Sequence, residues 1–336
     1  MFYPTLEKQL ARCELTETPT PVVQLADVSP NLWVKRDDLS SAVYGGNKTR
    51  KLEYVLGKAK KLGKKRVITL GGLGTHHGLA TAVYCARLGM ECEVLLFDQP
   101  VTPDVRENLR AMAAQGARLR RIGPLYLTHT AWQLDPRRLD RNNCFLFAGA
   151  STPTGAIAYV KAAFELAGQI EAGEMPRPAA IYCATGSGGT LAGLTLGFAL
   201  CGLHIPVHGV AVMPANHGPF RVCTRDTVEK LMAATHKNMR SLDPRVPDIK
   251  LPAIRLTHQY VGDGYGVATD AARQAASTGE QAGLRMDLTY TAKGLAAALE
   301  GTRKTRGPIL YWHTLSAAPP PAGNNSLPLP AKLARL

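Results

Sequence analysis

Short runs rich in apolar residues alternate along this chain with longer segments whose apolar residues recur every three or four positions. The runs at Leu32–Val34, Val67–Leu70, Cys92–Phe97, Leu119–Ile122, Ala180–Ala184, His208–Val212 and Ile309–Trp312 predict buried strands. A strand covered on both faces shows no polar alternation. The periodic segments predict helices from Lys48 to about Lys61, then at Leu79–Leu88, Val105–Ala114, Gly155–Leu166, Leu191–Leu200, Val222–Arg240, Val267–Gln281 and Tyr290–Leu299. Residues 132–143 are polar around Pro136 and predict a loop. Strand, Gly-rich turn, helix, strand is the rhythm of a parallel sheet. It starts near Val67 and restarts after Ser151, which predicts an α/β chain. The last twenty residues, with Pro319-Pro320-Pro321 and Pro328, predict a loose tail.

Three turns in this pattern carry chemistry. Gly45-Gly46 precede Asn47, Lys48 and Lys51 at a helix start. A helix N-terminus favours anions, so the charged form of an amine there is disfavoured and its pKa should drop. A lysine with a lowered pKa suits Schiff-base chemistry with a carbonyl cofactor. Alone, this stretch reads as a solvated basic helix start. The second turn, Gly186-Ser187-Gly188-Gly189-Thr190, tips the balance, because it opens a helix with three glycines and two hydroxyls. Such a turn aims backbone N–H groups at one point and reads as a monophosphate cup. It lacks both the GK[ST] ending of a P-loop and the GxGxxG spacing of a dinucleotide site. The third turn holds Thr75, His76 and His77. Neighbouring side chains on a helix start diverge by about 100°, so the two histidines suit one shared metal ion poorly. A hydroxyl and an imidazole there suit a carboxylate. An N-cap Thr75 beside partly buried histidines is an equally good account.

Composition narrows the partners. A chain of 336 residues is long enough for two layered domains. Net charge of +14 draws anions, and small anionic substrates or a phosphorylated cofactor use it well. The basic clusters at Lys58–Arg66 and Arg118–Arg121 come without a nucleic-acid motif, and aromatic residues are only 6% of the chain. No nucleic-acid or membrane partner is expected. The seven cysteines form no CxxC pair, so neither zinc nor a disulfide framework is indicated. No apolar run reaches membrane-spanning length and no signal peptide opens the chain, so a cytoplasmic protein is expected.

Gly45 to Tyr54 resembles the cofactor-lysine stretch of the D-cysteine desulfhydrase and 1-aminocyclopropane-1-carboxylate (ACC) deaminase family of pyridoxal 5'-phosphate (PLP) enzymes. The resemblance runs from about Leu25 to Thr314. It includes Arg36-Asp37-Asp38-Leu39, Gly155 to Tyr159, Gly186 to Gly193, Gly264-Tyr265-Gly266 and Asp287 to Lys293. It implies the tryptophan-synthase β-like fold, fold type II. In that fold two open, twisted, mostly parallel sheets are flanked by helices and PLP lies in the cleft between domains. Residues 1–51 and 161–336 would form the large domain and 52–160 the small one, and a homodimer is expected. Lys48 would carry PLP, with Asn47 beside it. Lys51 and Gly186, Ser187, Gly188, Gly189 and Thr190 would hold its phosphate. Thr75 falls where the family has a substrate-contacting serine, and His76 where an asparagine bonds the PLP 3-hydroxyl. His77 matches the family histidine. Tyr265 and Tyr290 match two tyrosines against substrate and cofactor.

The chain departs from the family at Thr75-His76, at Asp263, and at His313-Thr314-Leu315-Ser316, where a glycine-rich ending is usual. Thr291 falls where the family faces the pyridine nitrogen, a position held by glutamate in ACC deaminases. A hydroxyl leaves the ring a weaker electron sink than a carboxylate does. That favours loss of a β-substituent over ring opening. The implied activity is therefore a PLP-dependent lyase of D-cysteine desulfhydrase type, acting on a small amino acid. Lys48 would serve as base, and Thr75, Tyr265 and Tyr290 would act on substrate. ACC deamination, lyase action on cysteate or another β-substituted alanine, and PLP binding without catalysis are the alternatives.

Overall fold

A computed structural model describes residues 2–323 and 327–336. In chain order the helices are α1 (Pro4–Gln9), α2 (Asn47–Lys61), α3 (His76–Arg87), α4 (Pro103–Ala114), α5 (Leu125–Gln133), α6 (Pro153–Glu171), α7 (Gly189–Leu200), α8 (Arg225–Leu242), α9 (Asp270–Gln281), α10 (Thr291–Lys304) and α11 (Ala331–Ala334). The strands are β1 (Val22–Gln24), β2 (Leu32–Arg36), β3 (Arg66–Gly72), β4 (Glu91–Phe97), β5 (Arg118–Gly123), β6 (Asn143–Leu146), β7 (Ala180–Thr185), β8 (Val207–Ala211), β9 (Asn216–His217), β10 (Phe220–Arg221), β11 (Arg255–Thr257) and β12 (Ile309–His313).

Two main sheets result, as expected, beside the two-stranded β9–β10 hairpin. The larger has the order β1-β2-β12-β7-β8-β11, parallel except for the β1 edge. The smaller has the order β5-β4-β3-β6 and is parallel throughout. Central parallel strands need cover on both faces, which explains the apolar runs of β3 and β7, while the edge strand β5 carries exposed arginines. In the small sheet, Val67, Val94 and Leu96 pack with Leu79, Val83 and Leu109 of α3 and α4. Ile68, Leu70 and Leu95 face the other way and meet Trp132.

That second face corrects one expectation. Residues 125–133 are helix α5, and the polar stretch predicted as loop begins with the end of α5, contains a 3₁₀ turn and ends at the first residue of β6. Thr128 and Trp132, one turn apart on α5, are its buried positions. Two buried residues in nine make a weak periodic signal, yet without α5 this face of the small sheet would be bare.

Helix α6 packs on α7 and α2. Described parts of the tail lie against the small unit, and residues 324–326 lie outside the described residues. Leu327 N–H donates to Ala113 O at 2.9 Å and Gln115 Nε2 to Pro321 O at 2.8 Å. Leu333 is buried, and Leu329 and Leu336 pack beside it on the small unit's core. Prolines lower the entropy an extended segment loses on docking, and the spaced leucines supply the apolar anchors.

Candidate functional site

The three Gly-rich turns meet where the carboxyl ends of the two sheets face each other, which is where open α/β sheets present ligand sites. Gly46, at φ +89°, leads into α2, and a Cβ there would lie 2.5 Å from Thr314 O, so only glycine fits. Lys48 follows, half-buried, with its Nζ donating to Asn47 Oδ1 at 2.7 Å and lying 5.7 Å from the Tyr290 ring centre. Burial pushes the amine down to about 8, against the opposing pull of Asp287. Sequence reasoning expected this direction from the helix terminus; in the folded chain desolvation is the main cause. Asn47 Nδ2 donates to Thr190 Oγ1 at 3.1 Å and so ties the lysine turn to the second turn.

The second turn joins β7 to α7. Gly189 N–H donates to Ser151 Oγ at 3.1 Å, and Ser151 Oγ lies 2.7 Å from Ser187 Oγ. A Cβ on Gly189 would lie 2.5 Å from Ser151 Oγ and 3.1 Å from Lys51 Nζ. Lys51 is fully buried, and its Nζ reaches Gly149 O at 3.3 Å and stands 5.6 Å from the Tyr159 ring centre. Burial and the nearby Lys48 charge hold its pKa well below the ordinary lysine range. One long bond to a carbonyl is poor satisfaction for a buried ammonium, so the turn is arranged to receive an anion.

The third turn joins β3 to α3. Thr75 caps the helix, accepting from Gly78 N at 3.1 Å, and at the same time lines the cleft. The histidines diverge. His76 Nδ1 meets Tyr44 OH at 3.0 Å, and His77 Nε2 meets Thr69 Oγ1 at 2.8 Å. Thr69 spends its own proton on Leu146 O at 2.9 Å, so His77 must donate from Nε2. His77 Nδ1 is then a buried acceptor with no partner among the described residues. Burial lowers both imidazole pKa values and keeps the rings neutral.

Opposite stand Tyr265 and Tyr290, with hydroxyls 3.0 Å apart and rings edge-on at 6.0 Å. A Cβ on Gly72 would come 3.0 Å from the Tyr265 ring, so this glycine lets the phenol in. Burial pushes the Tyr265 hydroxyl up to about 12 and that of Tyr290 well above its ordinary value. Both are proton donors near neutral pH.

Thr291 lines the cleft, but its hydroxyl is engaged. It accepts from Asp287 N at 2.8 Å and donates to Asp287 Oδ2 at 2.7 Å. The same carboxylate accepts from the N–H groups of Thr289, Tyr290 and Thr291 at 3.0, 2.6 and 3.1 Å. Asp287 is the carboxylate on the cavity wall and, with Ser151, was not singled out from sequence. The legible signal was an aspartate three residues before Tyr290 at a helix start, a capping pattern.

A cavity of about 290 Å³ is lined by Asn47, Lys48, Lys51, Thr75, His76, His77, Gly186 to Thr190, Tyr265, Tyr290 and Thr291, so every sequence-predicted site residue converges on it. The donors suit a phosphorylated aldehyde. Lys51, Ser151, Ser187 and the start of α7 can hold a phosphate, and the Lys48 amine lies in the same cavity.

Residues 13–314 match the model of the family described as pyridoxal-phosphate dependent enzyme. The chain is 33% identical to nocardicin C-9' epimerase of Nocardia uniformis subsp. tsuyamanensis over 335 residues, 96% of this chain and 98% of that protein. It is 29% identical to D-cysteine desulfhydrase of Salmonella newport (strain SL254) over 322 residues, covering 90% and 93%. The crystal structure of an ACC deaminase homologue matches with a TM-score of 0.77 and 27% identity, covering 95% and 96% of the two chains. With a lysine in a desolvated cleft, a phosphate cup beside it and these matches over nearly its whole length, the chain belongs to the family of pyridoxal-phosphate dependent enzymes.

Proposed function

We propose that this chain is a lyase of D-cysteine desulfhydrase type, removing the β-substituent of a small amino acid to give pyruvate, ammonia and, from D-cysteine, hydrogen sulfide. The observation that carries this reading is the state of the carboxylate on the cavity wall. Asp287 is saturated by three backbone N–H groups and the Thr291 hydroxyl. Position 291, which resembles the site of a glutamate in ACC deaminases, thus offers only an engaged hydroxyl. The relative named D-cysteine desulfhydrase supports the same choice.

Bound PLP would supply an electron sink for a pair of electrons at the substrate α-carbon. Lys51, Ser151, Ser187 and the N–H groups opening α7 would hold its phosphate, and Lys48 would hold its aldehyde carbon. The residues of the chain then divide the work. Lys48 Nζ, with a pKa of about 8, is neutral in roughly a tenth of molecules at pH 7 and can take the α-proton as general base. Thr75, at the positive end of α3, presents a hydroxyl and a helix terminus to the substrate carboxylate. The neutral imidazole of His76 offers Nε2 into the cleft while Tyr44 fixes Nδ1. The protonated Tyr265–Tyr290 pair can pass a hydroxyl proton to the departing group. Low polarity around the cavity keeps these protons on their stated atoms.

A second reading is favoured by the 33% identical epimerase: proton exchange at the α-carbon without loss of a substituent. Incubation of the PLP-loaded protein with D- and L-cysteine, D- and L-cysteate, β-chloroalanine of both hands and ACC separates the readings. Pyruvate from a β-substituted alanine is the expected result. Release of 2-oxobutyrate from ACC alone, or solvent-deuterium uptake and inversion with no keto acid, would overturn it. Keto acid from none of them, with no deuterium uptake, would leave a PLP-binding protein without this catalysis.

A further inference from the structure

The cleft does not stop at the phosphate cup. Phe147 lies two residues before Gly149, whose carbonyl meets Lys51, and from there the same cavity continues between the two units. Its far half is walled by Tyr126 and His129 of α5, by Phe147, and by His217 and Phe220 of the β9–β10 hairpin. These rings pack on one another in pairs and present an aromatic wall to the cavity. His129 lies 5.0 Å from Phe220 and 6.0 Å from Phe147, while Tyr126 and His217 are 6.5 Å apart, and Tyr126 remains 41% exposed. Burial lowers the pKa of His129, so this ring adds no charge, and its Nδ1 is a buried atom without a partner among the described residues. Arg221 sits on the same wall with Asp226 at 3.6 Å.

A thiol the size of hydrogen sulfide uses none of this. A wall of aromatic rings binds an apolar, preferably aromatic, group through area and edge-to-face contacts. We propose that this annex takes the sulfur substituent of an S-benzyl or S-aryl cysteine, so that the amino-acid head sits at Lys48 and the ring sits among Tyr126, His129, Phe147, His217 and Phe220. The proposal rests on the β-elimination reading above and names its substrate class. In the reaction the α-proton passes to Lys48 Nζ, the C–S bond breaks with its electron pair on sulfur, and sulfur takes a proton and leaves as the thiol. Water completes the balance, converting the three-carbon remainder to pyruvate and ammonium.

Binding is measured first, with ligands that cannot turn over. α-Methyl-S-benzylcysteine and α-methylcysteine lack the α-proton, and calorimetry on the PLP-loaded protein gives their dissociation constants for both hands. Burial of a benzyl group should make the first bind about tenfold tighter or more. Phe220→Ala and Phe147→Ala, on different elements, should each cut that margin at least about threefold. No margin in the natural protein, or a margin unaltered in both variants, would overturn the annex. Failure of the elimination reading looks different: β-chloroalanine of neither hand would give pyruvate, while the binding margin would persist.

Discussion

Lys51 predicts an opposition between an empty cleft and a loaded one. Its ammonium is buried, has one bond of 3.3 Å to a carbonyl, and stands near the Lys48 charge. In the cofactor-free chain this is a cost. Replacing a buried charge by an apolar side chain of similar length commonly gains about 1–4 kcal/mol. Methionine matches the length and makes a favourable contact with the Tyr159 ring now 5.6 Å from Nζ. Lys51→Met should therefore raise the melting temperature of stripped protein by about 1–2 °C per kcal/mol gained. The gain has a pH signature. The folded-state pKa lies below the ordinary 10.5, so between the two values the unfolded chain holds more protons and stability rises with pH. The advantage of Lys51→Met should thus be largest near neutral pH and fade as pH approaches 10.5. In the loaded cleft the same amine gives a charge-assisted contact worth about 1.5–3 kcal/mol, so the variant should bind PLP about tenfold to a hundredfold more weakly. Thermal melts of stripped protein and an absorbance titration with PLP measure both. A stripped variant that melts below the natural protein, or that binds PLP as tightly, would refute the reasoning.

Four further outcomes are expected. Lys48→Ala should abolish turnover and the covalent fixation of PLP by borohydride; a persistent reduced adduct would move the cofactor to another lysine. Gly188, at φ +82°, has Val228 Cγ2 2.8 Å from a built Cβ, so Gly188→Asp adds strain and a carboxylate to the cup and should weaken PLP binding at least about a hundredfold, read by the same titration. Capture of PLP needs the free Lys48 amine, so its rate should rise with pH to a midpoint of about 8, as followed by stopped-flow absorbance. Asp287→Asn removes the charge that raises this pKa and should move the midpoint down; no movement would show that Asp287 does not act on Lys48.

The parts of this fold that were legible in sequence are the local ones. Strand β3, its Gly-rich exit and α3 read directly from Val67 to Leu88, because burial on both faces and a helix cap leave marks on neighbouring residues. The same holds for β7, the cup and α7. Distant pairing leaves no such mark: β12 lies between β2 and β7, bringing residue 311 beside residues 34 and 182. The two-residue strands of the β9–β10 hairpin are too short for a period, and α5 buries too little to show one. In the site, residue identities were legible and hydrogen-bond partners were not. Thr291 read as a free hydroxyl until Asp287, four residues earlier, was seen to hold it. Ser151 stood in a segment that sequence reading used only to mark where the strand-helix rhythm restarts.

The docked tail alters how the two sheets can move. The chain passes between the units at the segment opening α2, again near residue 152, and a third time beyond Ser316. Two linkages define an axis, and a body held by two can swing about it like a door. A third linkage that lies off such an axis opposes the swing. Trimming the chain from Pro319 onward would remove this linkage together with the docked leucines, and hydrogen exchange in β3 and β7 would report the change.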